Sequence, residues 1–174
     1  MSDPETEAPA PKRPDRKVMA RLARSAARLA AVQALYQLEM TGGAWTDVRD
    51  EFETHRLGSD VEGLRFDEPD IDLFRDILGG VQQHQVAIDQ LTDRALDARW
   101  PIGRIDSTLR ALFRAAGHEF LNRADVPVKV VIGEYMDIAK AFYAEGREPG
   151  FVNGVLDHMA RDARPGSLPD VSQS

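Results

Sequence analysis

Apolar residues recur every three or four positions along most of this chain, the spacing that lines one face of an α-helix. It predicts helices over about residues 16–41, 46–57, 69–97, 102–120, 127–142 and 151–159. We find no run of strand-like alternation and no internal repeat of fixed period. We therefore expect an all-α fold, a compact bundle of six or seven mostly short helices with brief connections.

Proline and glycine positions predict where the bundle begins, divides and ends. The first fifteen residues contain four prolines, and Pro165, Gly166 and Pro169 lie near the other end. Trp100-Pro101 ends the first group of predicted helices. The expected organisation is a disordered tail at 1–15, an N-terminal helical subdomain at 16–99, a C-terminal helical subdomain at 100–162 and a flexible tail at 163–174.

The first predicted helix carries two stripes at a rotation of roughly 100° per residue. The apolar stripe consists of Val18, Leu22, Leu29, Val32, Tyr36 and Met40. The basic stripe, about a quarter-turn away, consists of Lys17, Arg21, Arg24 and Arg28. We expect the apolar stripe to be buried and the basic stripe to be exposed beside it. For Tyr36, the pattern alone favours a position in the core.

Charge is distributed unevenly. The net charge of −7 argues against nonspecific binding of nucleic acid, yet residues 12–28 carry +6 while residues 1–11 carry −3. A row of arginines can bind phosphates bidentately and stack on unpaired bases, and Gln33 and Tyr36 could contact bases further along the helix. Because cations on a helix face are usually solvated surface, the pattern alone leaves RNA binding and plain solvation both open.

Signatures of catalysis and metal binding are missing from the sequence. The four histidines have no metal-site spacing and are expected at the surface, no phosphate-binding glycine motif occurs, and there is no cysteine. No apolar run approaches the ~20 residues of a membrane span, and the N-terminus lacks the apolar core of a secretory signal. We predict a cytoplasmic binding protein, not an enzyme, that uses no cofactor and no metal.

Four segments, in this order, resemble the transcription antitermination factor NusB family. They are AVQALY at 31–36, LFRDILGGV at 73–81, DVPVKVVIGE at 125–134 and FVNGVLD at 151–157. Together they extend over most of residues 20–160. The resemblance implies an all-α fold of about seven helices in two small subdomains. It also implies antitermination on ribosomal RNA operons, through binding of single-stranded boxA-like RNA with the ribosomal protein NusE in the RNA polymerase antitermination complex. Homodimers also occur in this family.

The resemblance also assigns residues. The implied RNA surface consists of Lys17, Arg21, Arg24, Arg28, Gln33, Tyr36 and Phe151. The implied surface for the protein partner consists of Tyr36, Asp106 and Arg110. Ser25 and Ala26 follow Arg24 where the family often has further arginines, and Gly133 replaces an asparagine. Two alternatives remain open: an accessory domain related to ribosomal-RNA methyltransferases, although no cofactor-binding strand–glycine–helix unit follows the bundle, and a purely structural homo-oligomer.

Overall fold

A computed structural model describes Lys12 and residues 15–57, 69–144, 146 and 148–170. Its α-helices are α1 (Arg16–Thr41), α2 (Trp45–Glu51), α3 (Ile71–Ala95), α4 (Ser107–Asn122), α5 (Val128–Phe142) and α6 (Glu148–Ala163). A π-helical turn covers Phe52–Arg56 and a 3₁₀ turn covers Ile102–Arg104. The all-α prediction is confirmed for these residues. The predicted N-terminal tail lies almost entirely outside the described residues, as do residues 171–174.

Helix ends follow local capping chemistry. The backbone N–H of Gly42, in the left-handed conformation at φ 66°, donates to the Leu38 carbonyl and ends α1. Asp70 caps the start of α3 by accepting a hydrogen bond from the backbone N–H of Leu73. Asp106 caps α4 in the same way, which explains why this helix begins five residues later than the sequence pattern predicts.

Helix α4 lies at the centre of the bundle and contacts α1, α3, α5 and α6. Most of its residues from Leu109 to Phe120 are buried. The buried side chains form one hydrophobic cluster that draws on both halves of the chain. A division into two subdomains near residue 100 stays a prediction. At the C-terminal end of α4, the Arg164 guanidinium donates to several backbone carbonyls, among them those of Glu119 and Phe120. Part of the predicted flexible tail therefore packs on the body.

Two glycines inside helices have different surroundings. A Cβ atom on Gly80 would lie 2.0 Å from Cε1 of His118, so the glycine lets α3 and α4 approach each other closely here. His118 itself is buried, and its Nε2 lies 3.0 Å from Asp76 Oδ2, so the prediction that it is a surface histidine is wrong. A Cβ atom on Gly154 would meet no atom within 4 Å, so helix packing does not require a glycine at this position. The irregular turn of α3 lies at His84, four residues beyond Gly80.

Candidate nucleic-acid interface

Helix α1 is rotated relative to the prediction. Its buried face consists of Ala27, Arg28, Ala30, Ala31, Val32, Ala34 and Leu35. Of the predicted apolar stripe, Val32 is buried and Leu29 is partly buried, whereas Val18, Leu22, Tyr36 and Met40 are exposed. The expectation of a buried apolar stripe is therefore wrong for most of its members. The alanines let α1 approach α3 and α4 closely, and the larger side chains point outward.

Arg28, the last member of the basic stripe, is not exposed. It retains 1% of its accessible surface and donates bidentately to Glu119, with Nε–Oε2 and Nη2–Oε1 distances of 2.9 Å. The Tyr135 hydroxyl donates to the same carboxylate at 2.6 Å. The assignment of Arg28 to the RNA surface is corrected, because Arg28 and the buried Leu35 lie on one line of α1 and this line enters the core.

Electrostatic interactions favour the charged form of Arg28 and the protonated form of Tyr135. Burial alone would lower the pKa of Arg28, but the hydrogen bonds and negative charge of Glu119 raise it above its ordinary value. Burial, reinforced by the Glu119 charge, raises the pKa of Tyr135 far above that of a free tyrosine. Arg28 therefore stays cationic and Tyr135 stays protonated at physiological pH, and each is committed to the interior of the bundle.

The remaining basic stripe is accessible. Lys17, Arg21 and Arg24 are exposed in the first turns of α1, before the helix enters the core. Within the described part of the chain, none of these three cations has an ion-pair or hydrogen-bond partner among the side chains. Arg16, beside them, is exposed as well. The start of α1 therefore presents a cluster of cations whose charge is not neutralised by the described carboxylates.

Gln33 and Tyr36 lie on another face of α1. Tyr36 is 41% exposed, so the core position favoured by the sequence pattern is wrong. Both residues line a cavity of about 460 Å³, together with Met40 of α1 and Phe142 of α5. At roughly 100° of rotation per residue, this face lies about a quarter-turn or more from the cations. The structure thus separates the predicted base contacts from the predicted phosphate contacts.

The predicted partner residues Asp106 and Arg110 are engaged within the chain. Besides capping α4, Asp106 accepts a hydrogen bond from the Tyr143 hydroxyl. Burial and this bond raise the pKa of Tyr143 above its ordinary value. The Arg110 guanidinium binds Glu39 and donates to the carbonyls of Ile102 and Ile105. The Arg110 guanidinium therefore already has hydrogen-bond partners within the chain, and its bond to Glu39 joins α4 to α1.

Phe151, the last predicted RNA contact, lies at the start of α6. It is exposed at the surface and packs edge-on against Phe113 of α4, with ring centroids 6.2 Å apart. One face of the Phe151 ring can therefore remain accessible to a ligand while the ring packs against Phe113 in the core. Phe151 thus lies on α6, whereas the cations and Tyr36 lie on α1.

Neither a metal site nor a membrane segment is found in the described residues. They contain no group of three or more His, Asp or Glu side chains placed to hold a metal ion. None of their helices has the length and apolar character needed to cross a bilayer. What the described surface offers is binding chemistry: cations, exposed aromatic rings and apolar cavities.

Comparison with known proteins decides the family. A family model described as the NusB family matches residues 25–161, which is most of the chain. The chain belongs to the NusB family. A transcription antitermination protein NusB from Mesorhizobium japonicum is 50% identical over 141 residues, covering 81% of this chain and 90% of the relative. The protein of the same name from Nitrobacter hamburgensis is 51% identical over 145 residues, covering 83% and 90%.

Solved structures of the NusB family share this fold. T. maritima NusB superposes with a TM-score of 0.65 at 28% identity, covering 89% of this chain and 96% of that one. A structure of the antitermination factors NusB and NusE in complex with dsRNA gives a TM-score of 0.65 at 20% identity, covering 80% and 97%. The family recognised from short motifs and the all-α fold are both confirmed.

The sequence pattern did not predict that Arg28 is buried. Nor did it predict that the large apolar side chains of α1 are exposed, namely Val18, Leu22, Tyr36 and Met40. One signal was available for the rotation of α1. Four alanines, Ala27, Ala30, Ala31 and Ala34, mark a face of small side chains, which suits closely packed helices. No local signal identifies Glu119 as the partner of Arg28, since the two residues are 91 positions apart.

Proposed function

We propose that this chain is a transcription antitermination factor that binds boxA-type single-stranded RNA together with the ribosomal protein NusE, within the RNA polymerase antitermination complex. Membership of the NusB family supports this role, as do relatives about half identical that are named antitermination proteins. The observation that carries RNA binding is the accessible cluster of Lys17, Arg21 and Arg24, which has no described carboxylate partner.

The charge distribution supports binding at one place on the surface. Outside the basic first part of α1 the chain is acidic, with a net charge of −7 overall. A polyanion is repelled by most of this surface and attracted to the start of α1. Guanidinium groups there can each contact a phosphate and release condensed counterions, so affinity for RNA falls as salt rises.

The exposed cations and the accessible aromatic ring suit binding and not catalysis. The proposed mechanism needs no metal and no cofactor, because its steps are contacts to phosphates, bases and a protein partner. Phe151, with an accessible ring, is the candidate for stacking on an unpaired base. Such a protein acts in the cytoplasm, where transcription and ribosomal proteins meet.

A salt-titrated binding assay tests the proposal. We expect the chain to bind a boxA RNA more tightly than a scrambled RNA of the same length and composition. Added NusE should increase affinity for boxA by more than it increases affinity for the scrambled RNA. Equal affinity for the two RNAs, with and without NusE, contradicts the proposed function. The matched composition of the scrambled RNA controls for phosphate binding alone.

A further inference from the structure

The first turns of α1, residues 16–24, extend beyond the core of the bundle and form a cationic segment. The buried residues of this helix begin at Ala27, whereas the exposed cations Lys17, Arg21 and Arg24 all precede it. Among the described residues, no side chain of the cationic segment makes a hydrogen bond or an ion pair. A helix end with few packing contacts opens locally at little cost in free energy. The orientation of these cations therefore depends on what joins the segment to the body.

Two hydrogen bonds join α1 to other helices where the cationic segment meets the core. The backbone N–H of Asp70, the N-cap residue of α3, donates to the carbonyl of Ala23 at 3.1 Å. The hydroxyl of Ser25 donates to Oε2 of Glu134 on α5 at 2.8 Å. The inner end of the cationic segment is thus held to the start of α3 on one side and to α5 on the other.

The hydrogen bond of Ser25 is not the local one that a serine within a helix commonly forms. Such a serine often donates to the carbonyl four residues earlier, which here belongs to Arg21. Ser25 instead reaches a carboxylate 109 positions away in sequence. A hydroxyl that donates to a carboxylate forms a stronger bond than one between two neutral groups. The bond therefore orients α1 relative to α5.

Glu134 is itself held in place by the buried ion pair. Its side chain is only 17% exposed, and its Oε1 lies 3.8 Å from Nη1 of Arg28. Arg28 donates bidentately to Glu119, whose carboxylate also accepts from the hydroxyl of Tyr135. Ser25 is thus connected, through Glu134 and Arg28, to the most firmly packed polar group of the bundle.

The position of this bond relates it to the cations. Residues four apart in a helix lie on the same face, so Arg21 lies one turn before Ser25 on the side that meets Glu134. Arg24 directly precedes Ser25 in sequence. The bond therefore lies at the border between the exposed cations and the buried Arg28. Any change of α1 at this border changes the direction in which the guanidinium groups point.

We propose that Ser25 and Glu134 are positioning residues of the RNA site, and that their hydrogen bond holds the cationic segment in the orientation that boxA RNA requires. This inference rests on the proposed function. A segment that is ordered before binding does not have to be ordered by the RNA, which favours affinity for the matching sequence. Nonspecific affinity depends on the number of phosphates neutralised, and this number does not require a fixed orientation. The bond thus supports recognition of boxA more than it supports binding of RNA in general.

The test compares Ser25→Ala with the wild-type chain by fluorescence anisotropy over a series of salt concentrations. The probes are boxA RNA and a scrambled RNA of the same length and composition. Alanine removes the hydroxyl and leaves every cation in place. We expect affinity for boxA to fall about threefold to tenfold, while affinity for the scrambled RNA and the salt slope stay close to those of the wild type.

Two further variants separate the hydrogen bond from other effects. Ser25→Thr keeps the hydroxyl donor and should keep the wild-type preference for boxA. Glu134→Gln keeps an acceptor for Ser25 but removes a negative charge near the phosphates, so it should raise affinity for both RNAs alike and retain the preference. The matched control is Ser167→Ala, at an exposed serine in the C-terminal segment, and it should bind like the wild type.

Amide hydrogen exchange reports on the cationic segment directly. We expect the amides of residues 20–26 to exchange faster in Ser25→Ala than in the wild type, while those of α4 are unchanged. Alanine has a higher helix propensity than serine, so propensity alone predicts slower exchange. The direction of the change therefore distinguishes a lost tertiary bond from a change in local helix stability.

Three results overturn the inference. The first is a Ser25→Ala variant that keeps the wild-type preference for boxA. The second is an equal loss of affinity for both RNAs, since it assigns the effect to phosphate binding in general. The third is a loss of preference in Ser25→Thr as large as that in Ser25→Ala, since the hydroxyl is then irrelevant. A wild-type chain without any preference for boxA overturns the proposed function together with this inference, whereas the first three results leave the proposed function standing.

Discussion

Arg28 of α1 and Glu119 of α4, 91 positions apart in sequence, form a bidentate ion pair in the interior of the bundle. Tyr135 of α5 completes the arrangement by donating to the same carboxylate. The pair therefore joins three helices, and it fixes how α1 is rotated about its axis. This rotation decides which residues of α1 are buried in the core and which stay exposed at the surface.

The first prediction concerns this buried pair. Arg28→Met removes the guanidinium and leaves the Glu119 carboxylate buried with only the Tyr135 hydroxyl as a partner. We expect the free energy of unfolding to fall by about 3–5 kcal/mol, measured by urea denaturation. The double variant Arg28→Met/Glu119→Leu removes both charges and should recover most of that stability. As a control, Arg99→Met breaks an exposed pair with Asp97 and should leave the free energy of unfolding close to that of the wild type.

The second prediction concerns RNA affinity. The variant Arg21→Ala/Arg24→Ala should weaken boxA binding and lower the slope of log affinity against log salt by about 0.7 for each phosphate that the protein no longer neutralises. Arg28 is left unchanged, since its substitution would alter stability as well. Arg94→Ala/Arg99→Ala removes two exposed arginines that are paired with carboxylates of this chain, and it should leave the slope close to that of the wild type. An unchanged slope in the first variant excludes these cations from the interface.

The third prediction concerns the packing of α3 against α4. Gly80→Ala places a Cβ atom 2.0 Å from the buried His118 ring, so the ring or the helices must shift. We expect the free energy of unfolding to fall by about 1–3 kcal/mol, measured by denaturant titration. Gly133→Ala in α5 is the control. A Cβ atom there meets open space, so alanine should raise stability by up to about 1 kcal/mol through helix propensity.

The fourth prediction concerns pH. Hydrogen bonds from Arg110 hold the pKa of Glu39 below its ordinary value of 4.5. A carboxylate with a lowered pKa in the folded state stabilises the fold above its unfolded pKa, and this contribution is lost as pH falls through the folded value. The difference in free energy of unfolding between wild type and Glu39→Gln should therefore be full near pH 7 and shrink below about pH 4.5. Urea denaturation of both proteins across this pH range measures the difference.

Much of the fold followed from the spacing of apolar residues. The bounds of α1 agree with the prediction, because Gly42 provides the left-handed stop that the sequence indicates. The late start of α4 was not predicted, because the apolar pattern continues through Ile102 and Ile105 while the capping carboxylate of Asp106 sets the first turn. Capping residues thus indicate where helices begin and end more accurately than the spacing of apolar residues does.

The candidate site was predicted less completely. The accessible cations Lys17, Arg21 and Arg24 agree with the exposed stripe, but Arg28, in the same stripe, is buried. Periodicity measures angles around one helix and contains no information on where that helix enters the core. The basic stripe begins outside the core and ends inside it, so its members have opposite environments.

By itself the sequence determined the helices, the family and the concentration of positive charge at the start of α1, since each depends on local spacing or short motifs. The rotation of α1 was decided by tertiary structure alone. Small alanine side chains allow closer packing than the larger apolar residues, and Arg28 finds in Glu119 and Tyr135 the partners that make its burial possible. As a result, four side chains expected in the core are exposed instead, namely Val18, Leu22, Tyr36 and Met40.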